Sequence, residues 1–426
     1  MNKSYLCLSP DELKSEYEKL VASYEELKSL NIDINMARGK PGKDQLDLSD
    51  GMLKVFDDGD FTAEDGSDVR NYGLLQGIPE CRKLFADLLG VKPENIIVGG
   101  NASLSLMFDY VSQCMYNGAG FTPWSEQGRV KFLCPCPGYD RHFAICEFFN
   151  IEMINIPMTS SGPDMEKIEE YVKDPMVKGM FCVPKYSNPQ GITFSDETVR
   201  RIANLNTAAD DFRIIWDNAY IVHDLSENCD ELLNIFDVLP ERNKNMVVEV
   251  ASTSKISYPG AGVSCIACSE ENVKEILKRL TIQSISYDKV NMLRHCRFFK
   301  TADGIKEHMK LHAAILKPKF DAVLDNLKND LGGLGIAEWS EPKGGYFISL
   351  DVTKGSASRV GVLCKEAGVT LTNVGATFPY GKDPTDSNIR IAPSFPTPDV
   401  LKQAVLVLTT CVKLACLESL LGIEVK

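Results

Sequence analysis

The sequence predicts an α/β protein: a large, mostly parallel sheet flanked by helices, with a smaller α+β unit beside it. Three observations predict this. From about residue 78 to 300, helical patterns alternate with short apolar runs, as in parallel strands joined by helices. Beyond residue 300, a long helical pattern leads into short strands and a closing helix. At 426 residues the chain has room for roughly two to three domain-sized units. The expected division is a large unit over 50–300 and a small unit made of 1–49 with 301–426.

Taken in order, residues 9–30 read as an amphipathic helix opened by the cap Ser9-Pro10-Asp11-Glu12. A Gly/Pro-rich loop covers 38–51. Expected strands are Ile96–Val98, Lys131–Cys134, Glu152–Ile156, Met180–Val183, Ile214–Trp216, Val247–Val250 and Ser264–Ala267. Region 303–330 reads as a long polar-faced surface helix on which His308 and His312 share a side. Gly345–Leu350, a helix near 356–367, Val369–Leu371 and Ile389–Ala392 form the small α+β unit. A helix from about 397 to 421 closes the chain. There is no internal repeat and no low-complexity segment.

Composition excludes several classes. Apolar residues at 44% with charged residues at 25% suit a soluble globular protein. A net charge of −13 argues against nucleic acid as a main partner, because phosphate backbones need a basic face. No apolar stretch is expected to span a membrane. Met1-Asn2-Lys3-Ser4 followed by a charged helical pattern is no secretory signal, so a cytoplasmic location is expected. Many of the fourteen cysteines sit in apolar runs and are read as reduced, buried thiols. Cys265-Ile266-Ala267-Cys268 has a metal-like spacing, but in a strand it puts its thiols on opposite faces. His308 and His312 lack the glutamate of the zinc motif, and no phosphate loop or Gly-x-Gly-x-x-Gly fingerprint occurs. No metal is expected.

Three strand ends carry polar groups that fit one chemistry. Met246–Ala251 ends in Ser252-Thr253-Ser254-Lys255 and then a Pro/Gly turn. An amine there can form an imine with a bound aldehyde once its neutral form is favoured. Arg213–Trp216 ends in Asp217, with Tyr220 three residues on. A carboxylate beside a pyridine nitrogen keeps that nitrogen protonated, and a hydroxyl suits the ring's phenolic oxygen. Gly179–Val183 breaks into a turn carrying Asn188-Pro189, whose amide can donate to the same oxygen. Ligands of open α/β sheets bind at the carboxyl ends of the strands. The three ends together point to a pyridoxal phosphate (PLP) enzyme.

Asn188-Pro189-Gln190-Gly191, Asp217-Asn218-Ala219-Tyr220 and Ser252-Thr253-Ser254-Lys255 resemble, in order and spacing, the motifs of the fold-type I PLP-dependent aminotransferases. Asn71–Gly77 and Asn388–Ala392 are similar to two further family segments. Ala37–Gly42, Pro137–Phe143 and Tyr258–Ser264 look like a divergent bacterial subgroup of aspartate aminotransferases. The resemblance implies that Lys255 holds PLP as a Schiff base and shuttles a proton. It gives Asp217 to the pyridine nitrogen, Asn188 and Tyr220 to the phenolic oxygen, and Tyr139 to the ring face. Gly100, Asn101, Ala102 and Ser103 would hold the phosphate at a helix start, with the Ser252 and Ser254 hydroxyls of the same chain and with Tyr72 reaching in from the neighbouring subunit. Gly262 stands where the wider family has a phosphate-binding arginine, which leaves the counter-charge open; a cation such as Lys289 or Arg294 from the second subunit is expected. Arg390 would take the substrate α-carboxylate, with backbone help from Gly39. Arg141 is the first choice for a side-chain carboxylate, ahead of Lys40, Arg294 and Arg297.

The implied activity is ping-pong amino transfer between aspartate or glutamate and 2-oxoglutarate or oxaloacetate, in a homodimer with shared active sites. Alternatives are an aminotransferase for aromatic or other neutral amino acids, a PLP lyase or decarboxylase, and a non-catalytic PLP-binding regulator domain.

Overall fold

The computed structural model describes residues 3–423. Met1 and Asn2, where the N-terminal reading began, lie outside them.

An eight-stranded sheet runs in the order Ile96–Val98, Ser264–Cys268, Val247–Ser252, Arg213–Asp217, Val177–Cys182, Lys131–Cys136, Glu152–Thr159, Gly162–Pro163. Every adjacent pair from Val247–Ser252 through Glu152–Thr159 is parallel. Ser264–Cys268 pairs antiparallel with both of its neighbours. The central parallel strands are buried on both faces, which is why they read as continuous apolar runs (Arg213–Asp217 and Val177–Cys182 are buried at every position). Cys265 and Cys268 do face opposite sides: Cys265 packs with Ile78 and Met292, Cys268 with Leu106 and Ile276.

A second sheet of three antiparallel strands, Ala337–Trp339, Ile348–Val352 and Asn388–Ile391, lies in the C-terminal part. It shares a core with the helices Pro10–Ser29, Ala302–Leu331, Ala357–Glu366 and Pro398–Leu421. The first helix starts as its sequence dictates. Ser9 accepts from the Glu12 amide and Glu12 accepts from the Ser9 amide, a reciprocal cap.

Two expectations are corrected. The helix Pro398–Leu421 is long and apolar enough to cross a bilayer, contrary to the reading that no stretch is. Its apolar surface is spent instead on the core, where Leu401, Val405, Leu408, Val412 and Leu417 are buried. The helix Ala302–Leu331 is not merely a surface helix. His308, His312 and Lys319 are buried, His312 at 0% exposure. The two histidines contact each other (3.2 Å), and they are partnered by Ser49 and by Gln45 of the short helix Lys43–Asp47, which forms within the expected loop 38–51. Burial holds both below the usual histidine range, His312 at about 4.

Candidate active site

The carboxyl ends of the parallel strands open on a cavity of 690 Å³. Lys255, Asp217, Tyr220, Asn188, Tyr139, Ser252 and Ser254 line it, as do Ala102 and Ser103 at a helix start. Gly39 and Arg390 close it from the C-terminal sheet's side, together with Phe347. Lys255, Asp217, Tyr220, Asn188 and Tyr139, distant in sequence, meet because each follows or ends a strand that stops at the same sheet edge.

Lys255 reaches into the cavity with Nζ 5.1 Å from the Tyr220 ring and 5.8 Å from the Tyr346 ring. Burial lowers its pKa, Asp217 opposes that shift, and Arg390 adds to it. A lysine so placed holds more of its neutral, nucleophilic form than a surface lysine.

Asp217 is 3% exposed. Its Oδ2 accepts from His142 Nε2 at 3.0 Å, which assigns the proton to that nitrogen. Its Oδ1 is buried with no partner among the described residues. His142 in turn stacks on Phe181 at 4.4 Å and 12°, so packing fixes the imidazole plane. No role was expected of His142. The available signal was its place three residues after Tyr139, on the same face of the helix Asp140–Phe148.

Tyr139 meets His142 edge to face at 5.0 Å, and burial pushes its phenol up to about 12, with Asp217 and Asp140 acting the same way. Tyr220 is buried and its pKa is raised for the same first cause. Arg390 is 7% exposed, lies over the Phe347 ring at 4.8 Å, and donates to Asp140, Asn188 and Thr372.

The helix Ser103–Tyr116 begins at Ala102 without a side-chain cap. Its first amides are thus available to an anion. Ser254 donates to the Asn101 carbonyl (2.9 Å) and Ser252 to Ser254 (3.2 Å), which ties the two serine hydroxyls to that turn.

Some expected residues fall elsewhere. Gly100 and Asn101 do not line the cavity: the Gly100 carbonyl accepts from Ser264, and the Asn101 amide turns to the Pro259 carbonyl. Tyr72 is 80% exposed and outside the cavity of its own chain. Arg297 is drawn away by Asp60 (2.7 Å) and Asp58, and Arg294 donates to the Ala261 carbonyl and to Asn291. Lys289 is committed to the Asn71 carbonyl at 2.6 Å. Arg141 and Lys40 do line the cavity, and so does Arg38 of the same Ala37–Gly42 segment, a third cation there.

Residues 8–424 match the sequence model of the family described as aspartate amino-transferase. The chain belongs to this family. A curated aspartate aminotransferase of Corynebacterium glutamicum is 46% identical over 405 residues, 94% of each chain. The crystal structure of an aspartate transaminase from C. glutamicum superposes with a TM-score of 0.94 at 45% identity, covering 97% of this chain and 98% of that one. The α-aminoadipate aminotransferase of Thermus thermophilus, solved with N-(5'-phosphopyridoxyl)-L-leucine, has a TM-score of 0.73 at 18% identity over 91% and 93% of the two chains, a likeness of fold alone. The fold is the PLP-dependent transferase fold of type I, and the chain is an aminotransferase. Aminotransferases act on small molecules, an amino acid and a 2-oxo acid.

The aminotransferase cavity fits PLP on its own geometry. It offers a half-buried amine with a lowered pKa, a buried carboxylate oxygen in want of a donor, and an uncapped helix start.

Proposed function

We propose that this aminotransferase binds PLP in the 690 Å³ cavity and transfers the amino group of aspartate or glutamate to 2-oxoglutarate or oxaloacetate. The observation that carries the reading is the unpartnered, buried Oδ1 of Asp217 in the same cavity as Lys255 and Arg390. When bound, the cofactor supplies an aldehyde for the lysine and a protonated ring that accepts the electrons of the substrate's α-carbon.

The chain's residues do the rest. Asp217, oriented by His142, presents its free oxygen to a ring N–H. Lys255 Nζ would carry a proton between the substrate α-carbon and the cofactor carbon, and its lowered pKa enlarges the neutral fraction able to accept that proton. Tyr139 covers a ring face, while Asn188 and Tyr220 offer donors to a ring oxygen. Ala102 and Ser103 amides with Ser252 and Ser254 hydroxyls receive the phosphate. Arg390 receives the α-carboxylate, with the Gly39 backbone beside it. Arg141, Lys40 and Arg38 are the cations available to a second carboxylate.

The same reading takes the enzyme as a cytoplasmic homodimer, with Tyr72 of each subunit completing its neighbour's site. The exposed Tyr72 ring supports this. It divides the chain into 50–300 and 1–49 with 301–426, supported by the separate core around the C-terminal sheet. A panel of amino donors with 2-oxoglutarate tests the substrate. Aspartate and glutamate should exceed alanine and phenylalanine by at least roughly tenfold in kcat/KM, about the value of one charge-assisted contact, and Arg141→Ala should narrow that gap. A panel led by phenylalanine would overturn the dicarboxylate reading.

A further inference from the structure

A guanidinium offers five N–H donors. Arg390 spends three of them inside the protein. Nε donates to the Thr372 hydroxyl (3.3 Å), and Nη1 donates to the Asp140 carboxylate (3.0 Å) and the Asn188 side-chain oxygen (3.2 Å). Nη2 has no hydrogen-bond acceptor among the described residues. A carboxylate grips a guanidinium as a fork, through two neighbouring nitrogens. On Arg390 every such pair includes a nitrogen already engaged. A substrate carboxylate therefore gains its second bond by displacing Thr372, Asn188 or Asp140.

The three are not equally free. Thr372 is tied down by its own donation to the Ala37 carbonyl (2.7 Å). Asn188 is 4% exposed. The Asp140 side chain is 30% exposed, and its second oxygen already lies 3.9 Å from Arg141 Nε, a cation able to receive it. Asp140 is also the one partner whose charge repels an arriving anion.

We propose that Asp140 is a displaceable counter-carboxylate, which substrate must exchange off Arg390 and which thereby sets how tightly both substrates are held. The proposal rests on the reading of Arg390 as the α-carboxylate site. Apparent affinity is the intrinsic affinity reduced by the fraction of Arg390 that is uncovered. The amino acid and the 2-oxo acid both carry the α-carboxylate, so the exchange weakens both by the same factor. Product leaves faster for the same reason.

The test is calorimetric titration of holoenzyme with succinate, a dicarboxylate that lacks the amino group. Asp140→Asn and Asp140→Ala should both bind it more tightly, Asp140→Asn by roughly tenfold, or about 1.4 kcal/mol. KM for the amino acid and KM for the 2-oxo acid should fall together, while kcat does not rise. Two variants guard against a local fault at the helix start, since charge is the only property both remove. Unchanged or weaker succinate binding in both would overturn the proposal and make Asp140 a fixed brace or a bystander. Arg390→Lys separates the two readings. If it leaves succinate binding intact, the carboxylate site itself is wrong. If it abolishes binding while neither Asp140 variant gains affinity, only the exchange is wrong.

Discussion

Replacing Asp217 by asparagine should weaken the cofactor-bound protein far more than the cofactor-free one. Asp217 is 3% exposed, and His142 satisfies only one of its oxygens. The other is buried without a donor. An unsatisfied buried group costs about 1–3 kcal/mol, and more when charged. Asparagine keeps the acceptor for His142, removes the charge and leaves an unpartnered N–H in place of an unpartnered oxygen, so the stability of cofactor-free Asp217→Asn should stay within about 1 kcal/mol of wild type. The same change deprives a ring N–H of a charged partner, a bond worth about 1.5–3 kcal/mol. PLP affinity should then fall by roughly ten- to 150-fold, and turnover by about a hundredfold, the usual effect of losing one aligned charge at a reacting centre. Urea unfolding of the cofactor-free proteins and a fluorescence titration with PLP measure the two shifts separately. A variant that destabilises both forms equally, or that loses less than about threefold in PLP affinity against that expectation, would refute the assignment of Oδ1 to the cofactor.

Two other changes follow from packing and burial. Glu249 is buried beside Asn218, and burial raises its pKa to about 8 from an unfolded value of 4.5. The raised native value means the folded state holds the proton longer, so this group's contribution is full below pH 4.5 and is lost as pH rises through 8. Glu249→Gln has no such loss. Its stability relative to wild type should climb by about 1.4 kcal/mol per pH unit between pH 5 and 8 and then level off, and parallel pH–stability curves would contradict this. At Gly39, an added Cβ would lie 2.5 Å from Phe347 Cζ, and Phe347 carries Arg390 on its face. Gly39→Ala should therefore lower kcat/KM by roughly ten- to a hundredfold through misplacement of Arg390. Unaltered steady-state kinetics would show that the ring yields without moving the guanidinium.

Much of this site was legible locally. A strand buried on both faces must read as an apolar run, and a polar residue where the run stops marks its end. That logic put Asn188, Asp217, Ser252 and Lys255 at strand ends, and the strands deliver them to one cavity. The antiparallel pairing of Ser264–Cys268 was not legible, since an apolar run carries no direction. Nor was the burial of His308 and His312, because the segment that covers them, Gln45 to Ser49, lies some 260 positions away in sequence. Gly100 and Asn101 belong to the expected phosphate turn, yet a turn's residue types do not say which way its amide points, and Asn101 points to Pro259.

The sequence by itself determined the order of the elements, the α/β class and the residue types at each strand end, because these follow from local periodicity and from spacing along the chain. Only the tertiary structure decided the pairings that tune the chemistry. His142 meets Asp217 across 75 positions, and Asp140 meets Arg390 across 250. Such partners are chosen by where a sheet edge brings side chains together in space, and a hydrogen bond between two buried groups leaves no period in the sequence around either of them.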